Sequence, residues 1–504
     1  MATTVYSKAL AGGGRGFLAR AATHLTSDRL RFFATTWALA TLFHVVGEPQ
    51  KLFTLSGGFA DFTSARSFFP AALLVAAAYL LLDPGKPVRL LMLATTQVLD
   101  YAINSPIASN HWTVAFYTAL AIVISGALVL ISRSPSRSLS TDDFYEYFAP
   151  VGRLVLLTMY VYGIFHKINA DFLNPEVSCA IHLYGLLATP FGLSDALWAQ
   201  YGAIYGTFLI EACALVFLAI PKLRYYGFAI GLPFHAAIAI SGQSVVEFEV
   251  GGTFFDFSAV VFGLYALFLP APFFARLREV FGNPRTFTPI VLGLGAATLA
   301  GLALLAAMFG TSYLPFHPRA AYLMAIGIAC FVYGCAFWLA VLMLTRPRDF
   351  AAERRLLLPR HAAPAAIAVL FFLNGMSPYV GLKTESSIAM FSNLHTEGSV
   401  TNHLLFEQPP YLFSFQESLV EIKGSTDEVL QHHADRGRRL VEYEFWRHLR
   451  AHPEASVTYQ LDGQTYTLER AGDHATAEAA APWLLDKFLL FKPVNPARPK
   501  VCSH

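Results

Sequence analysis

Long apolar stretches recur along most of this chain, and short breaks rich in proline, glycine and charge separate them. A helix needs roughly 20 mostly apolar residues to cross the hydrocarbon core of a bilayer. The pattern predicts an all-helical polytopic membrane bundle of about 11 transmembrane helices. The predicted helices lie near residues 30–46, 67–82, 88–104, 111–132, 150–168, 201–220, 225–241, 253–274, 288–309, 321–345 and 364–382.

The pattern becomes polar after Leu382. Residues 457–468 alternate around Asp462-Gly463, which predicts a β-hairpin. Residues 438–449 and 476–490 are predicted to be helical, with a break in the second segment at Pro482. We therefore expect a small external α/β tail domain after the membrane helices. The predicted organisation is a basic cytoplasmic segment at 1–29, a transmembrane core at 30–275, additional transmembrane helices at 276–382 and the tail domain at 383–504.

Composition supports a membrane protein, because 55% of the residues are hydrophobic and only 14% are charged. Soluble domains carry about 25% charged residues. Loops on alternate sides of the predicted helices hold 20 lysine and arginine residues against 4. By the positive-inside rule, we expect a multi-pass protein of the plasma (inner) membrane with a cytoplasmic N-terminus and an external, periplasmic C-terminus. A formal net charge of +2 without a basic stripe argues against nucleic acid as a partner and leaves membrane lipids as the first one.

Ionisable side chains inside the predicted helices are the main candidates for chemistry. Such a group costs about 2.5–3.5 kcal/mol on insertion scales, so it usually serves a function or has a partner. Lys167 closes the fifth predicted helix, where it either snorkels to the headgroups or acts as a desolvated base. The other polar groups of these helices are His44, Asp100, Asn110, His111, His166, Glu211, His235 and Asp256.

Most of these groups are predicted to lie at a similar depth in the outer half of the membrane. Two interpretations are open. The groups share one cavity in which imidazoles and carboxylates adjust the pKa of a lysine base, or they are separate interfacial side chains at the ends of their helices. Two histidines and an acid can also bind a metal. No two of these residues have the i, i+4 spacing of zinc helices, so we predict no metal site. A proton path in a transporter is a further alternative, although no inverted repeat or pair of broken helices is visible.

Three short motifs resemble a known family. Residues 167–172, Lys-Ile-Asn-Ala-Asp-Phe, resemble the Lys-Leu-Asp-Ala-Asp-Trp stretch of vitamin K-dependent gamma-glutamyl carboxylase. Residues 109–112, Ser-Asn-His-Trp, resemble its Asn-Asn-His-Ser stretch, and His235 lies where the family again carries a helix histidine. Residues 25–275 are similar to the wider horizontally transferred transmembrane (HTTM) domain family, and residues 381–404 look like a signature of its bacterial members.

This resemblance implies an enzyme that carries out quinone-linked chemistry. In the carboxylase, the matching lysine deprotonates reduced vitamin K, oxygen converts it into a strong base, and a glutamate γ-carbon then loses a proton and takes up CO2. Carried over, Lys167 is the catalytic base, and His111 takes part in catalysis as a helper at the vitamin site, with Asn110 and His235 as further cofactor-site residues. His44 joins the predicted cofactor site because of its position in the outer half of the first predicted helix. The cofactor is reduced vitamin K or a related quinone, with CO2 and O2 as co-substrates. The chain departs from the motif at His166, where the enzyme has a second lysine, and at Asn169, where it has an acid.

Polar residues of the external segment are weaker candidates. Asn393, Glu397 and His403 are possible ligands of a substrate, or they serve turns and caps. Cys179 and Cys502 are both predicted to be external, where a disulfide bond can persist.

Two alternatives to an enzyme are open. The first is a non-enzymatic HTTM protein that assists the maturation, export or immunity of a secreted peptide or protein. The second is a small-molecule or proton transporter.

Overall fold

The computed structural model describes residues 14–48, 64–131, 141–241, 254–281, 318–353, 356–478 and 482–502. Most of these residues are helical, and a small antiparallel sheet lies near the C-terminus. The helices before the sheet are α1 (Gly14–Gly47), α2 (Ala65–Leu82), α3 (Pro87–Asn104), α4 (Asn110–Ile131), α5 (Thr141–Phe165), α6 (Ala170–Leu173), α7 (Cys179–Ala188), α8 (Leu197–Ala219), α9 (Arg224–Ser241), α10 (Phe255–Ala266), α11 (Ala271–Phe281), α12 (Pro318–Leu344), α13 (Pro347–Ala351) and α14 (Ala362–Met376).

Several helices are long and apolar enough to cross a membrane. In the described part of the chain there are five, or six if the bent pair α10 and α11 forms one span. The expectation of about eleven spans is therefore not confirmed. Helices α2 and α14 are apolar but shorter, and α3 and α9 are not among the five. The predicted span at 288–309 lies outside the described residues. The five are Asp28–Gly47, Asn110–Ile131, Asp143–Phe165, Leu197–Ala219 and Leu323–Leu344.

The segment predicted as one span at 253–274 is bent by 103° between α10 and α11. Pro270 lies at the break. It has no backbone N–H, and its ring disfavours the helical conformation of the preceding residue. The Leu267 carbonyl at this break accepts a hydrogen bond of 2.7 Å from Nε of the buried Arg153. A side chain from α5 thus satisfies a backbone group that the helix leaves open.

Close helix packing depends on small residues in the core. A Cβ atom at Gly263 of α10 would lie 3.0 Å from the Trp37 ring of α1, and one at Gly334 of α12 would lie 2.4 Å from Phe262. Small residues allow helices to approach closely where van der Waals packing drives association in a membrane. The aromatic core that results also contains Phe33, which stacks on Trp37.

The C-terminal domain is a four-stranded antiparallel sheet with helices packed on it. The strand order is β2-β1-β3-β4, and the buried Phe445 and Leu449 of one helix contribute to its core. Its elements are β1 (Leu419–Ser425), α15 (Glu428–Asp435), β2 (Arg439–Val441), α16 (Glu442–Ala451), β3 (Val457–Leu461), β4 (Gln464–Leu468), α17 (Ala475–Glu478) and α18 (Trp483–Phe488).

The structure contains the β3–β4 hairpin that the sequence predicts. Asp462 and Gly463 have φ angles of 48° and 79°, and Leu461 pairs with Gln464 across the turn. Both turn residues thus have the positive φ that a two-residue hairpin turn requires.

One helix prediction for the C-terminal domain needs correction. Residues 439–441 of the predicted helix 438–449 form strand β2, because they pair with β1. The predicted break of the second helix at Pro482 is confirmed, since α18 starts directly after this residue and α17 precedes it.

A disulfide bond ties the C-terminal tail to the membrane region. It joins Cys179, the first residue of α7, to Cys502, 323 residues further along the chain. The two cysteines pack with Phe172 and Ile204 in a small apolar cluster. The tail is thereby fixed beside α6, α7 and α8.

We expect Cys502→Ser to lower the free energy of unfolding by about 2–4 kcal/mol, because the bond closes a long loop. Thermal unfolding of the full chain in detergent, with and without reductant, measures the effect. Reductant is expected to destabilise the wild type and leave Cys502→Ser unchanged. The matched control is Cys213→Ser, since Cys213 is a free cysteine of α8. Equal stability of the wild type and Cys502→Ser without reductant would contradict the prediction.

Candidate active site

Lys167 lies in a turn that directly follows α5. The turn is fixed by Asn169, whose side-chain oxygen accepts the Phe172 N–H at 2.8 Å and so caps α6. The amide nitrogen of Asn169 donates to the carbonyls of His166 and Ser392 at 2.7 and 2.6 Å. An asparagine can donate and accept at once, which an ionised acid cannot. Asn169 therefore caps a helix and holds the Lys167 turn against the segment 383–404, which follows α14 in the chain.

The Lys167 ammonium is buried and fully hydrogen-bonded. Nζ donates to the Gly163 carbonyl at 2.8 Å and to the two carboxylate oxygens of Glu211 on α8 at 2.8 and 2.9 Å. An ammonium has three N–H donors, so these contacts use all of them. The whole residue is only 8% exposed, as is Glu211. Lys167 therefore forms an internal ion pair and does not snorkel.

The pair forms part of the wall of a cavity of about 320 Å³. A Cβ atom at Gly163 would lie 3.6 Å from Glu211 Oε2 and 3.7 Å from Lys167 Nζ, so glycine leaves room beside the pair. Most of the lining is apolar or aromatic. The other lining residues include Met159, Tyr160, Phe172, Leu183, Tyr184, Ile210, Phe234, His235, Ile238, Phe254, Phe257, Ile388, Met390 and Phe391.

A hydrogen-bonded chain of three rings reaches this cavity. The Tyr160 hydroxyl lies 2.7 Å from Nε2 of His235 and 2.8 Å from the Tyr265 hydroxyl. His235 Nδ1 is buried and has no hydrogen-bond partner among the described residues. A Cβ atom at Gly231 would lie 1.8 Å from the Tyr265 hydroxyl. A glycine at this position therefore makes room for the hydrogen bonds between the three rings. Tyr160 and His235 thus offer polar groups in an apolar lining.

One side of the cavity is bounded by α8, the least buried of the five candidate spans at 22%. Gly202, Ala203 and Gly206 of this helix line the cavity. Among the described residues, no atom lies within 4 Å of a Cβ atom placed at Gly202 or Gly206. The α8 side of the cavity therefore has small residues with open space beside them.

The segment 383–404 contributes Ile388, Met390 and Phe391 to the cavity lining. Asn110, at the start of α4, accepts the Ile388 N–H at 2.8 Å through its side-chain oxygen. The rings of Phe391 and Phe254 lie 4.3 Å apart. Asn110 is not among the cavity-lining residues, so in this structure it positions the segment 383–404.

His44 and His111 do not line the cavity with Lys167 and His235. They lie together with Asp256, on three different helices, in a second buried centre. The sequence analysis grouped His44, His111 and His235 in one cofactor site. In the structure His235 lines the cavity, whereas His44 and His111 belong to the second centre.

Asn393 and His403 connect the segment 383–404 to the turns around Lys167. The Asn393 oxygen accepts the Cys179 N–H at 2.9 Å, and its nitrogen donates to the Lys500 carbonyl at 2.8 Å. His403 Nε2 lies 3.0 Å from the Phe165 carbonyl. These contacts fit the turn and capping role that the sequence analysis left open.

Glu397 is fully buried, and its Oε2 accepts the Thr396 N–H at 3.0 Å. Glu397 does not line the cavity, and neither do Asn393 and His403.

Sequence reasoning missed Tyr160, Tyr265 and the small residues of α8. A tyrosine in an apolar helix has no signal that separates a core ring from a site residue, and a glycine in a spanning helix usually serves packing. Glu211 was noted for its depth in the membrane, but its partner was not identified because the two residues are 44 positions apart.

A further group that the sequence did not reveal consists of two lysines of the C-terminal region, Lys383 and Lys500. Burial lowers the pKa of Lys383 to about 7, although Glu385 opposes the shift. The Lys383 ammonium position lies 4.3 Å from the centre of the Phe488 ring. Burial also lowers the pKa of Lys500 to about 8.

Comparison of the chain with family models, with curated proteins and with solved structures found no match. The carboxylase resemblance therefore depends on the motifs alone.

Loss of one member of the Lys167–Glu211 pair should be costly. Lys167→Met and Glu211→Leu should each destabilise the chain by about 3–5 kcal/mol, because each leaves an uncompensated buried charge. The double variant should lose much less than the sum, since it removes both charges. A double-mutant cycle by thermal unfolding in detergent measures this coupling. Additive losses would show that the two side chains do not interact.

Stability should depend on pH through Lys383. Above pH 7 the folded protein holds Lys383 neutral, whereas an unfolded lysine binds its proton up to about pH 10.4. The unfolded state therefore binds more protons in this window, and stability rises with pH by up to about 1.4 kcal/mol per unit. Lys500 adds to the rise above pH 8.

Melting temperatures between pH 7 and 10 measure the slope. Lys383→Met should reduce it, whereas the exposed Lys423→Met should leave it unchanged. An identical slope in Lys383→Met and the wild type would contradict the assignment.

Proposed function

We propose that this chain is an integral membrane enzyme in which Lys167 and Glu211 act on a reduced quinone bound in the cavity. The reaction type would be that of vitamin K-dependent gamma-glutamyl carboxylase, with a glutamate-containing peptide as a further substrate. The observation that carries the proposal is the buried Lys167–Glu211 pair in the wall of an apolar cavity.

The cavity suits a flat, lipid-soluble ring. Its volume of about 320 Å³ lies at the lower end of the range for small-molecule sites, about 300–1,000 Å³. Phe254, Phe257 and Phe391 offer aromatic surfaces for stacking. His235 Nδ1, which has no partner among the described residues, offers a hydrogen bond to a ring oxygen. The open space beside Gly202 and Gly206 would serve as an opening toward the bilayer.

The chemistry follows from the position of the ion pair in the cavity wall. A reduced quinone would supply an acidic hydroxyl and, with O2, a strong base, as the resemblance implies. The Lys167–Glu211 pair would take up the hydroxyl proton, and the Lys167 ammonium would then stay beside the resulting anion and stabilise it. Tyr160 and His235 orient the ring by hydrogen bonding.

The disulfide bond supports an external placement of this side of the protein. Disulfide bonds persist in oxidising compartments, and Cys179 and Cys502 lie beside the Lys167 turn. The charge distribution of the loops favours the same orientation. We therefore place the site in the outer half of the plasma (inner) membrane, where a secreted peptide can reach it.

The test uses the purified chain in nanodiscs with reduced vitamin K, O2 and bicarbonate. Wild type should oxidise the reduced vitamin K with O2 and fix CO2 into a glutamate peptide. Lys167→Ala should lose at least about 100-fold in rate, the usual contribution of a general base. Lys222→Ala is the matched control, because Lys222 is exposed and distant in sequence from the site. Gly206→Trp should block the opening and lower the rate without removing a charged group.

Unchanged quinone oxidation in Lys167→Ala would remove Lys167 from the mechanism. No turnover of any quinone by the wild type would reject the enzymatic proposal. The two alternatives would then be tested by co-purification with a secreted peptide and by flux in proteoliposomes.

A further inference from the structure

His44, His111 and Asp256 form a compact buried centre outside the cavity. They lie on α1, α4 and α10, and one ligand atom from each lies within 4.8 Å of the other two. His44 is 8% exposed, His111 5% and Asp256 2%. Three separate helices thus bring two imidazoles and one carboxylate to one point.

One ring nitrogen is at the middle of this centre. His111 Nε2 lies 3.1 Å from His44 Nδ1, 3.2 Å from Asp256 Oδ2 and 3.2 Å from the Ser109 hydroxyl. An imidazole nitrogen carries either one proton or one lone pair, so it makes one good hydrogen bond in the plane of its ring. Three polar neighbours at hydrogen-bond distance exceed that capacity.

A metal ion would satisfy the same atoms together. Zn²⁺ binds imidazole nitrogen and carboxylate oxygen at about 2.0–2.2 Å, which places tetrahedral ligand atoms about 3.3 Å apart. The two short separations in this centre are 3.1 and 3.2 Å. The spacing therefore matches ligands that share one ion.

Neighbouring residues hold the ligands in place, as is usual for metal sites. The His44 ring stacks on Trp112 at 3.7 Å, and the Trp112 N–H donates to Asp100 Oδ2 at 2.6 Å. Asp256 Oδ1 accepts the Phe257 N–H at 2.8 Å, which leaves Oδ2 directed to His111. The imidazole plane and the carboxylate are thus both oriented.

We propose that His44, His111 and Asp256 bind a divalent transition-metal ion, with the Ser109 hydroxyl or a water in a further position. Two histidines and one carboxylate suit Zn²⁺ and Fe²⁺. The site is separate from the Lys167 cavity, and the proposal does not depend on quinone chemistry. The sequence analysis predicted no metal because it searched for pairs of ligands on a single helix. The spacing of residues on one helix carries no information about ligands that come from three different helices.

A second group with ligand-type side chains does not support the same inference. Asp427, His448 and His452 lie close together in the C-terminal domain. Asp427 Oδ1 already accepts the N–H groups of Val429 and Leu430 as the cap of α15. Its contacts are explained by helix capping.

The test measures the metal content of the full chain, purified in detergent with a histidine-free tag from cells supplied with Zn²⁺ or Fe²⁺. Mass spectrometry of the wild type should find about one ion per chain. His111→Ala and Asp256→Asn should each reduce this content at least about 10-fold. His235→Ala is the matched control, because His235 is a buried membrane histidine outside the centre, and it should retain the ion.

A second measurement uses the wild type alone, so it tests the proposal even where the variants fail to fold. Chelator should lower the melting temperature of the wild type, and added Zn²⁺ should restore it. Co²⁺ added to the stripped wild type should give the visible absorption of a nitrogen- and oxygen-bound ion. A wild type without stoichiometric metal and without a response to chelator, Zn²⁺ or Co²⁺ would overturn the proposal. So would full metal content in both ligand variants.

Discussion

Lys167 carries its charge in a place that water hardly reaches, and both carboxylate oxygens of Glu211 compensate it. Separating the two would leave an unpaired ion in a low-dielectric interior, which is far more costly than losing a surface ion pair. The pair therefore fixes the end of α5 against the middle of α8.

The same constraint explains how the other polar groups are arranged. Inside a bilayer each polar group must find an internal partner, and those partners come from different helices. Tyr160, Tyr265 and His235 form one chain across α5, α10 and α9. His44, His111 and Asp256 form another centre across α1, α4 and α10. Close helix approach at glycines such as Gly231 makes these contacts possible.

The segment 383–404 completes the site. Its residues Ile388, Met390 and Phe391 line the cavity. Asn169 donates to the Ser392 carbonyl of this segment, and the Asn393 side chain accepts the Cys179 N–H. The disulfide bond of Cys502 holds the tail against α7. The site is thus built jointly by the apolar helices and by a segment that follows them in the chain.

The sequence alone determined the membrane class of the protein, the polar tail domain and the β3–β4 hairpin, because hydropathy and turn residues act locally. It also singled out Lys167, Glu211, His44, His111, His235 and Asp256, since an ionisable group in an apolar stretch is conspicuous. It did not determine their partners. Only the tertiary structure paired Lys167 with Glu211, separated His111 from the cavity and bent the predicted span 253–274. Contacts between helices depend on how the helices pack, and residues far apart along the chain carry no local signal of that packing.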